Sequence, residues 1–333
     1  MKTRAVVFPE PNRFEVMALT LPAPGPRDIV VRTLVSAISP GTERWILRGK
    51  HMGCRFPCVP GYHRIGIVEK RGKEVSVFQQ GDVVYGSGGR WEEEKIISMW
   101  GAHMGLSVGD WGGYRFVASS MPNMLELETL AFTILAGVSN RGMNFADVRA
   151  DQKVLIIGGG LVGVCAAQLA GLRGAQAILL DKDPERIEYL TKQGYTVLST
   201  DDANLSKRLT EIAPTGFDIV HDTVGHAATT DQMLQHIRTH GILLLQAQYF
   251  DKAACAIDLD QIKIRELTVK TTCGIREEDW RETMTNIRER RLKIAPLITH
   301  RFDANEDINL LKGYELLHTG KPFNLGMVFH WSE

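Results

Sequence analysis

The sequence predicts an α/β protein in which a doubly wound parallel sheet is joined to a smaller, β-rich unit. Three observations carry that expectation. The apolar run Val154-Leu155-Ile156-Ile157, the glycine loop Gly158-Gly159-Gly160-Leu161-Val162-Gly163 and a small-residue helical pattern over residues 164–170 follow one another as strand, loop and helix. Helix and strand signals then alternate as far as residue 271, the order that produces a parallel sheet covered on both faces. The first hundred-odd residues instead carry short β-rich runs between Pro and Gly punctuation such as Pro22-Ala23-Pro24-Gly25-Pro26.

Taken in order, the chain enters a strand pattern at its first residues, and further strands are expected at 29–35, 65–69, 83–85 and 114–118. From residue 125 the pattern turns helical. Strands follow at 154–157, 177–180, 217–220, 241–246 and 266–271, with helices at 161–174, 184–193 and 227–238. Residues 279–290 read as an amphipathic helix, and 297–330 as mixed short elements too small to stand alone, which are expected to rejoin the N-terminal unit. A length of 333 residues exceeds the range in which single cores keep growing, so two domains are expected: 1–135 with 275–333, and 136–274.

Lys plus Arg equals Asp plus Glu at 39 each, so no global field recruits nucleic acid or an anionic membrane, and the expected partner is a small molecule. The N-terminus lacks a long apolar h-region, and no apolar run approaches the ~20 residues that cross a bilayer, so a cytoplasmic location is expected. Five dispersed cysteines, an odd number, suggest reduced thiols rather than a disulfide framework.

The glycines have a physical job. Gly158 permits the tight turn, Gly160 lets the backbone approach a pyrophosphate, and Gly163 lets helix and strand pack closely, so the loop with Leu161 and Val162 reads as a Rossmann dinucleotide cradle. Asp181 ends the next strand, 18 residues beyond Gly163, where it accepts hydrogen bonds from the adenosine ribose. Its charge would repel a 2'-phosphate, which favours NAD(H) over NADP(H), although Lys182 and Arg186 lie near. Thr223, Val224 and Gln246, near the ends of later strands, are further candidate cofactor contacts.

A β-rich unit, a dinucleotide fold and a short returning segment resemble the medium-chain dehydrogenase/reductase superfamily of zinc alcohol dehydrogenases and quinone reductases. The landmarks are Pro60-Gly61-Tyr62-His63-Arg64-Ile65-Gly66, Gly81-Asp82-Val83-Val84, Gly112-Gly113-Tyr114, the glycine loop and Asp222-Thr223-Val224-Gly225. The resemblance implies a GroES-like barrel for the β-rich unit, contact of Arg186 with the ribose, and a substrate in the interdomain cleft. Residues 36–44 and Val59-Pro60-Gly61-Tyr62 are similar to bacteriochlorophyllide hydroxyethyl dehydrogenases and glycoside dehydrogenases of that superfamily.

The departures are as informative. Where zinc-using relatives place a cysteine, a histidine and a third cysteine or acid, this chain has Pro40, Tyr62 and Leu135, and residues 85–114 contain no cysteine for a structural zinc lobe. Proline and leucine offer no lone pair and neutral tyrosine is a poor ligand, so neither the catalytic nor the structural zinc is expected. Oxygen polarisation then falls to protons on side chains: Tyr62, His63, Thr42 and Glu43 are the candidates, with Thr42 at the family's proton-relaying hydroxyl and a Glu43–His63 pair that would raise and orient the imidazole. The alternative is a structural cluster of Glu43, Arg44 and His63, with Tyr62 filling the vacated metal pocket. A second metal reading rests on His51, Cys54, Cys58 and His63, four sound zinc ligands within 13 residues at an unfamiliar spacing. Trp91, Trp100, His103 and Trp111 fall in a glycine-rich stretch that either walls a pocket for a sugar ring or planar substrate or packs as a lid. The remaining histidines, His221 and His236 among them, are expected at the surface or at helix ends.

The leading expectation is a zinc-independent, NAD(H)-dependent oxidoreductase of a secondary alcohol and a ketone, on a polyol, glycoside or hydroxyalkyl substrate. An enone or quinone reductase using NAD(P)H and a catalytically silent dinucleotide sensor are the rivals. The last strand, 266–271, is an open sheet edge that a homodimer would protect.

Overall fold

Two units, residues Met1–Phe132 with the chain from Ala295 onward, and Thr133–Ile294, account for the fold. The structure is a computed structural model and describes residues 1–331.

In the first unit Lys2–Val7 and Glu15–Thr20 form an antiparallel hairpin. The larger sheet runs in the order Ile298–Asp303, Gly326–His330, Asp28–Ala37, His63–Arg71, Val83–Gly86 and Tyr114–Ala118, and Leu106–Asp110 also pairs with Asp28–Ala37. The tail therefore rejoins this unit through Gly326–His330, antiparallel to Asp28–Ala37. It also contains a 13-residue helix, Asp307–Thr319, where only short elements were expected. Gly313 in mid-helix weakens the sequence signal, and its role is packing: a Cβ there would lie 2.6 Å from the Phe329 ring. Leu310, Tyr314 and Leu317 of that helix share a core with Phe8, Ile38, Ile46 and Phe329. A second unanticipated helix, Pro40–Leu47, begins with proline in its first turn, where the missing N–H costs nothing.

The second unit carries a six-stranded parallel sheet in the order Val197–Ser199, Gln176–Asp181, Lys153–Ile157, Phe217–Asp222, Ile237–Leu245 and Thr268–Thr271. The strand order reverses direction at Lys153–Ile157, so the crevice outside its C-terminal end is the place where open α/β sheets take ligands. Alternate strand residues such as Leu155, Ile178, Val220 and Leu243 join Leu209 and Leu234 in one core. The expected helix 227–238 stops at Leu234, and the next strand starts at Ile237. Helices Leu205–Ile212 and Leu259–Ile264, too short for a clear period, complete the cover.

The helix Glu277–Arg288 packs against Thr133–Phe145, which keeps residues 275–294 with this unit instead of with the first. Among the described residues no helix is long and apolar enough to cross a membrane.

Candidate active site

The glycine loop takes the shape its sequence implies. Gly158 has φ +105°, a conformation strained for any residue with a Cβ, and a Cβ on Gly163 would overlap the Gly158 carbonyl. A Cβ on Gly160 would meet nothing within 4 Å, so that position faces open space. Gly160 is the N-cap of helix Leu161–Leu172 and supplies no side chain to cap it. The first-turn N–H groups of Leu161 and Val162 thus lack intrahelical partners, and the positive end of the helix dipole faces the same space. This is a cradle for a phosphate group.

Asp181 is buried at the end of its strand. Its Oδ2 accepts from Gly159 N at 2.8 Å and from Arg186 Nη1 at 3.2 Å, and its Oδ1 accepts from Asp183 N at 2.9 Å. The acid therefore braces the loop, and Arg186 is already paired with it.

Thr223 Oγ1 donates to the Ile157 carbonyl at 2.7 Å, tying the neighbouring strand to the start of the loop. Val224 packs against Gly158 and is half exposed. Both are set by Asp222, which accepts from Val224 N, Gly225 N, Thr230 Oγ1 and Tyr249 OH. The landmark run that begins at Asp222 does not reveal these partners, since Thr230 and Tyr249 lie 8 and 27 residues away.

Gln246 does not stand free for a cofactor. Its Nε2 donates to the Val138 carbonyl and Thr272 Oγ1, and its Oε1 pairs with His221 Nε2 at 2.9 Å. His221 is itself fully buried rather than superficial, and burial pushes its imidazole down to about 4.

In the first unit the candidate residues gather at the start of helix Pro40–Leu47. Ser39, its N-cap, makes no side-chain capping bond; its Oγ lies 2.6 Å from the Tyr62 phenol oxygen. Tyr62 is half-buried. Desolvation raises its pKa above the ordinary tyrosine value and Glu43 adds to the rise, while the hydroxyls of Ser39 and Thr42 hydrogen-bond the phenol oxygen and oppose it.

Glu43 is fully buried one turn further along. The expected Glu43–His63 pair does not form: Glu43 bonds His103 Nε2 at 3.1 Å, and accepts from Tyr314 OH at 2.7 Å and from Ser39 N at 2.8 Å. With the proton of His103 on Nε2 the donors run one way. Trp331 Nε1 donates to Ser36 Oγ at 2.9 Å, Ser36 can then donate to His103 Nδ1 at 3.0 Å, and the Nε2 proton of His103 goes to Glu43. His103, 60 residues from Glu43, has no local signal to mark it as the partner. Gly61, φ +92°, makes room, since a Cβ there would overlap the His103 ring.

His63 is fully buried, and its Nδ1 sits 2.6 Å from Tyr85 OH, which donates to the Ala131 carbonyl. Burial, then the neighbouring His103, push its pKa down to about 3, the reverse of the rise expected from an acid partner. Its Nε2 is buried without a partner, and the ring lies 4.2 Å from that of Tyr62. His63 is thus a neutral packing partner of Tyr62 in place of a charged relay.

The residues do not fit a zinc ion. Pro40 opens a helix, Leu135 is a buried apolar residue, and among the described residues no three of His, Cys, Asp or Glu gather as ligands. Of the second proposed set, His51 lies edge-on to Trp100, Cys54 Sγ points to the Ile46 carbonyl, Cys58 is buried in a short strand, and His63 is held on Tyr85. The tryptophans divide as well. Trp91 donates to the Ile96 carbonyl and Trp111 lies under Arg27, whereas Trp100 is 40% exposed beside a pocket of about 420 Å³.

Residues 25–125 match the family described as alcohol dehydrogenase GroES-like domain, and residues 162–289 the family described as zinc-binding dehydrogenase. The chain belongs to the medium-chain dehydrogenase/reductase superfamily. It is 24% identical over 353 aligned positions to an alcohol dehydrogenase of Cupriavidus necator, covering 94% of each chain. It is 26% identical to 2-desacetyl-2-hydroxyethyl bacteriochlorophyllide A dehydrogenase of Cereibacter sphaeroides, covering 92% of each. The crystal structure of benzyl alcohol dehydrogenase from Acinetobacter calcoaceticus shares the fold, with TM-score 0.84 and 17% identity over the whole of both chains. This medium-chain dehydrogenase/reductase is an enzyme of the oxidoreductase class, built on a dinucleotide fold and a GroES-like unit.

Proposed function

We propose that the enzyme interconverts a secondary alcohol and a ketone with NAD(H), and that Tyr62, in place of a metal ion, handles the proton at the substrate oxygen. The observation that carries this is the Tyr62 phenol 2.6 Å from the N-cap hydroxyl of a helix, at a position where the family resemblance implies a metal ligand. The dinucleotide supplies or accepts the hydride. The cradle of Gly158, Gly160, Leu161, Val162 and Gly163 would hold its pyrophosphate, and Asp181 the adenosine ribose. The Asp181 carboxylate opposes a 2'-phosphate, and Arg186, already engaged by Asp181, offers it little compensation, which supports NAD(H) over NADP(H).

In the reduction direction the phenol O–H bond of Tyr62 breaks as an O–H bond forms on the substrate oxygen. The phenolate left behind accepts from the Ser39 and Thr42 hydroxyls and faces the positive end of helix Pro40–Leu47 until solvent returns the proton. The phenol is protonated at neutral pH and so ready to donate, and burial, which disfavours the phenolate, extends that state into the alkaline range. Glu43 is a positioning residue: it grips Ser39 N and leaves the Ser39 hydroxyl for Tyr62. We further propose a homodimer joined along Thr268–Thr271, a sheet-edge strand whose Val269 is 43% exposed; sedimentation at micromolar concentration tests it.

The test is NADH-linked turnover of secondary alcohols alongside elemental analysis. Turnover with NAD+ by metal-free protein is expected. One tightly held transition metal per chain, whose removal abolishes activity and whose return restores it, would overturn the role given to Tyr62; firm NADPH selectivity with enone substrates would replace the reaction itself.

A further inference from the structure

The segment that carries Trp100 is held more rigidly than a surface loop needs to be. Trp100 has φ +70° and Gly101 φ +67°, a left-handed pair that begins with a bulky side chain. The Trp100 carbonyl accepts from Gly88 N, the Gly101 carbonyl from Arg64 Nη1 at 3.5 Å, and the Gly88 carbonyl from Arg64 Nη2 at 2.8 Å. Arg64 is fully buried, and its Nη2 also donates to Tyr114 OH at 2.6 Å. One guanidinium thus clasps both sides of the segment and keeps a disfavoured backbone in place. Strain maintained in this way points to a task for the side chain it presents.

That side chain is an indole standing between two places. On one side its ring lies edge-on to Tyr62 at 5.5 Å, and on the other edge-on to His51 at 5.5 Å. The pocket of about 420 Å³ is lined by Trp100, His51, Met52, Met99, Ser87 and Ser98 among others. Its described lining has an indole, an imidazole and two polarisable thioethers but no carboxylate, carboxamide, ammonium or guanidinium. A polyol or sugar needs several such groups to replace the water on its hydroxyls. A flat apolar ring needs aromatic edges and sulfur, which are present.

We infer that Trp100 is a specificity-determining residue and that the substrate is a secondary alcohol, or its ketone, bearing an aromatic ring of one or two fused rings next to the reacting carbon. The inference rests on the proposed alcohol–ketone reaction. The indole and the thioethers line the side that takes the ring; Tyr62 lies across the indole edge at 5.5 Å, outside the pocket lining, so the carbinol has to pass that edge to meet the phenol, and the two serines meet a polar substituent at the rim.

The experiment compares kcat/KM for 1-phenylethanol, 1-(2-naphthyl)ethanol, 2-butanol and sorbitol in the wild type, Trp100→Ala and Trp100→Phe, with calorimetric binding of 2-acetonaphthone in the presence of NAD+. An aryl preference of about 100-fold over 2-butanol is expected, falling about 30-fold in Trp100→Ala and less than 5-fold in Trp100→Phe. The Kd of 2-acetonaphthone should weaken by the same 30-fold in Trp100→Ala, and the Phe variant guards against a misfolded Ala variant. Sorbitol as the best substrate, or an aryl preference unchanged in Trp100→Ala, overturns the ring assignment and leaves the alcohol–ketone reaction standing. Absence of turnover on every alcohol overturns the reaction, and the acetonaphthone titration then still decides what the pocket holds.

Discussion

Tyr62→Phe removes one oxygen atom from the site and is the sharpest perturbation of the proposed chemistry. The phenol oxygen is the proton donor to the developing alkoxide and the partner of Ser39 Oγ at 2.6 Å. Positioned acid–base groups contribute about 10²–10⁴ in rate, equivalent to about 3–5 kcal/mol of barrier. The structural loss is one half-buried hydroxyl pair, about 1 kcal/mol, because the phenyl ring still packs on His63 at 4.2 Å. Rate and stability should therefore part company: kcat for ketone reduction falls at least 100-fold while the denaturation midpoint moves by only a few degrees. The pH profile adds a second signature. Burial, then Glu43, lift the Tyr62 phenol above the ordinary tyrosine value, so the donor stays protonated from neutral pH to about pH 10. Wild-type reduction should be level across that range and fall above it, and the variant's residual rate should lack that limb. NADH consumption followed by absorbance from pH 6 to 11 measures both. A kcat within about threefold of wild type, or an alkaline limb that survives the substitution, would refute the assignment of the proton to Tyr62.

Three further outcomes follow from the geometry. Gly160→Ala, whose Cβ meets nothing within 4 Å, should leave the apo melting temperature unchanged yet weaken NADH binding at least tenfold, whereas Gly163→Ala, whose Cβ overlaps the Gly158 carbonyl, should lose about 1–3 kcal/mol of stability along with binding. Asp181→Asn keeps the acceptor for Gly159 N but removes the charge, so the ratio of kcat/KM for NADPH to that for NADH should rise about tenfold or more, and an unchanged ratio would deny the acid its selective role. His63 and His221 are held to about 3 and about 4, below the 6.5 of an unfolded chain, so unfolding takes up protons between those values and 6.5. Stability is then greatest above pH 6.5 and falls as acid is added, by about 2 kcal/mol per histidine between pH 6.5 and 4.5, and His221→Asn should remove one proton from the slope measured by urea unfolding.

The candidate dinucleotide loop is legible in the sequence because its parts are neighbours along the chain. Gly158 to Gly163 and Asp181 lie within 24 residues, and the two strands that carry them pair in parallel, Ile157 beside Leu180. Strand period, glycine spacing and terminal acid each report locally, so adjacency suffices to place them. The candidate residues of the first unit are different in kind. The family resemblance implies the pair Glu43–His63, but the carboxylate instead points into a core closed by His103, Tyr314 and Trp331. Tyr314 comes from the helix Asp307–Thr319 and Trp331 from the chain following the strand Gly326–His330, elements whose signals are weak on account of Gly313 and the short run lengths, and His103 comes from the loop before the strand Leu106–Asp110. The consequence reaches Tyr62. Glu43 accepts from the Ser39 N–H on the inner side, while the Ser39 hydroxyl, which makes no capping bond, meets the phenol. The replacement of a ligand cysteine by Pro40 follows the same logic, since a rigid first turn with no N–H to satisfy holds the helix end where Ser39 meets Tyr62. What a motif comparison registers only as absent metal ligands is, in three dimensions, a phenol bonded to the Ser39 hydroxyl, with Glu43 beneath it held by partners from distant stretches of chain.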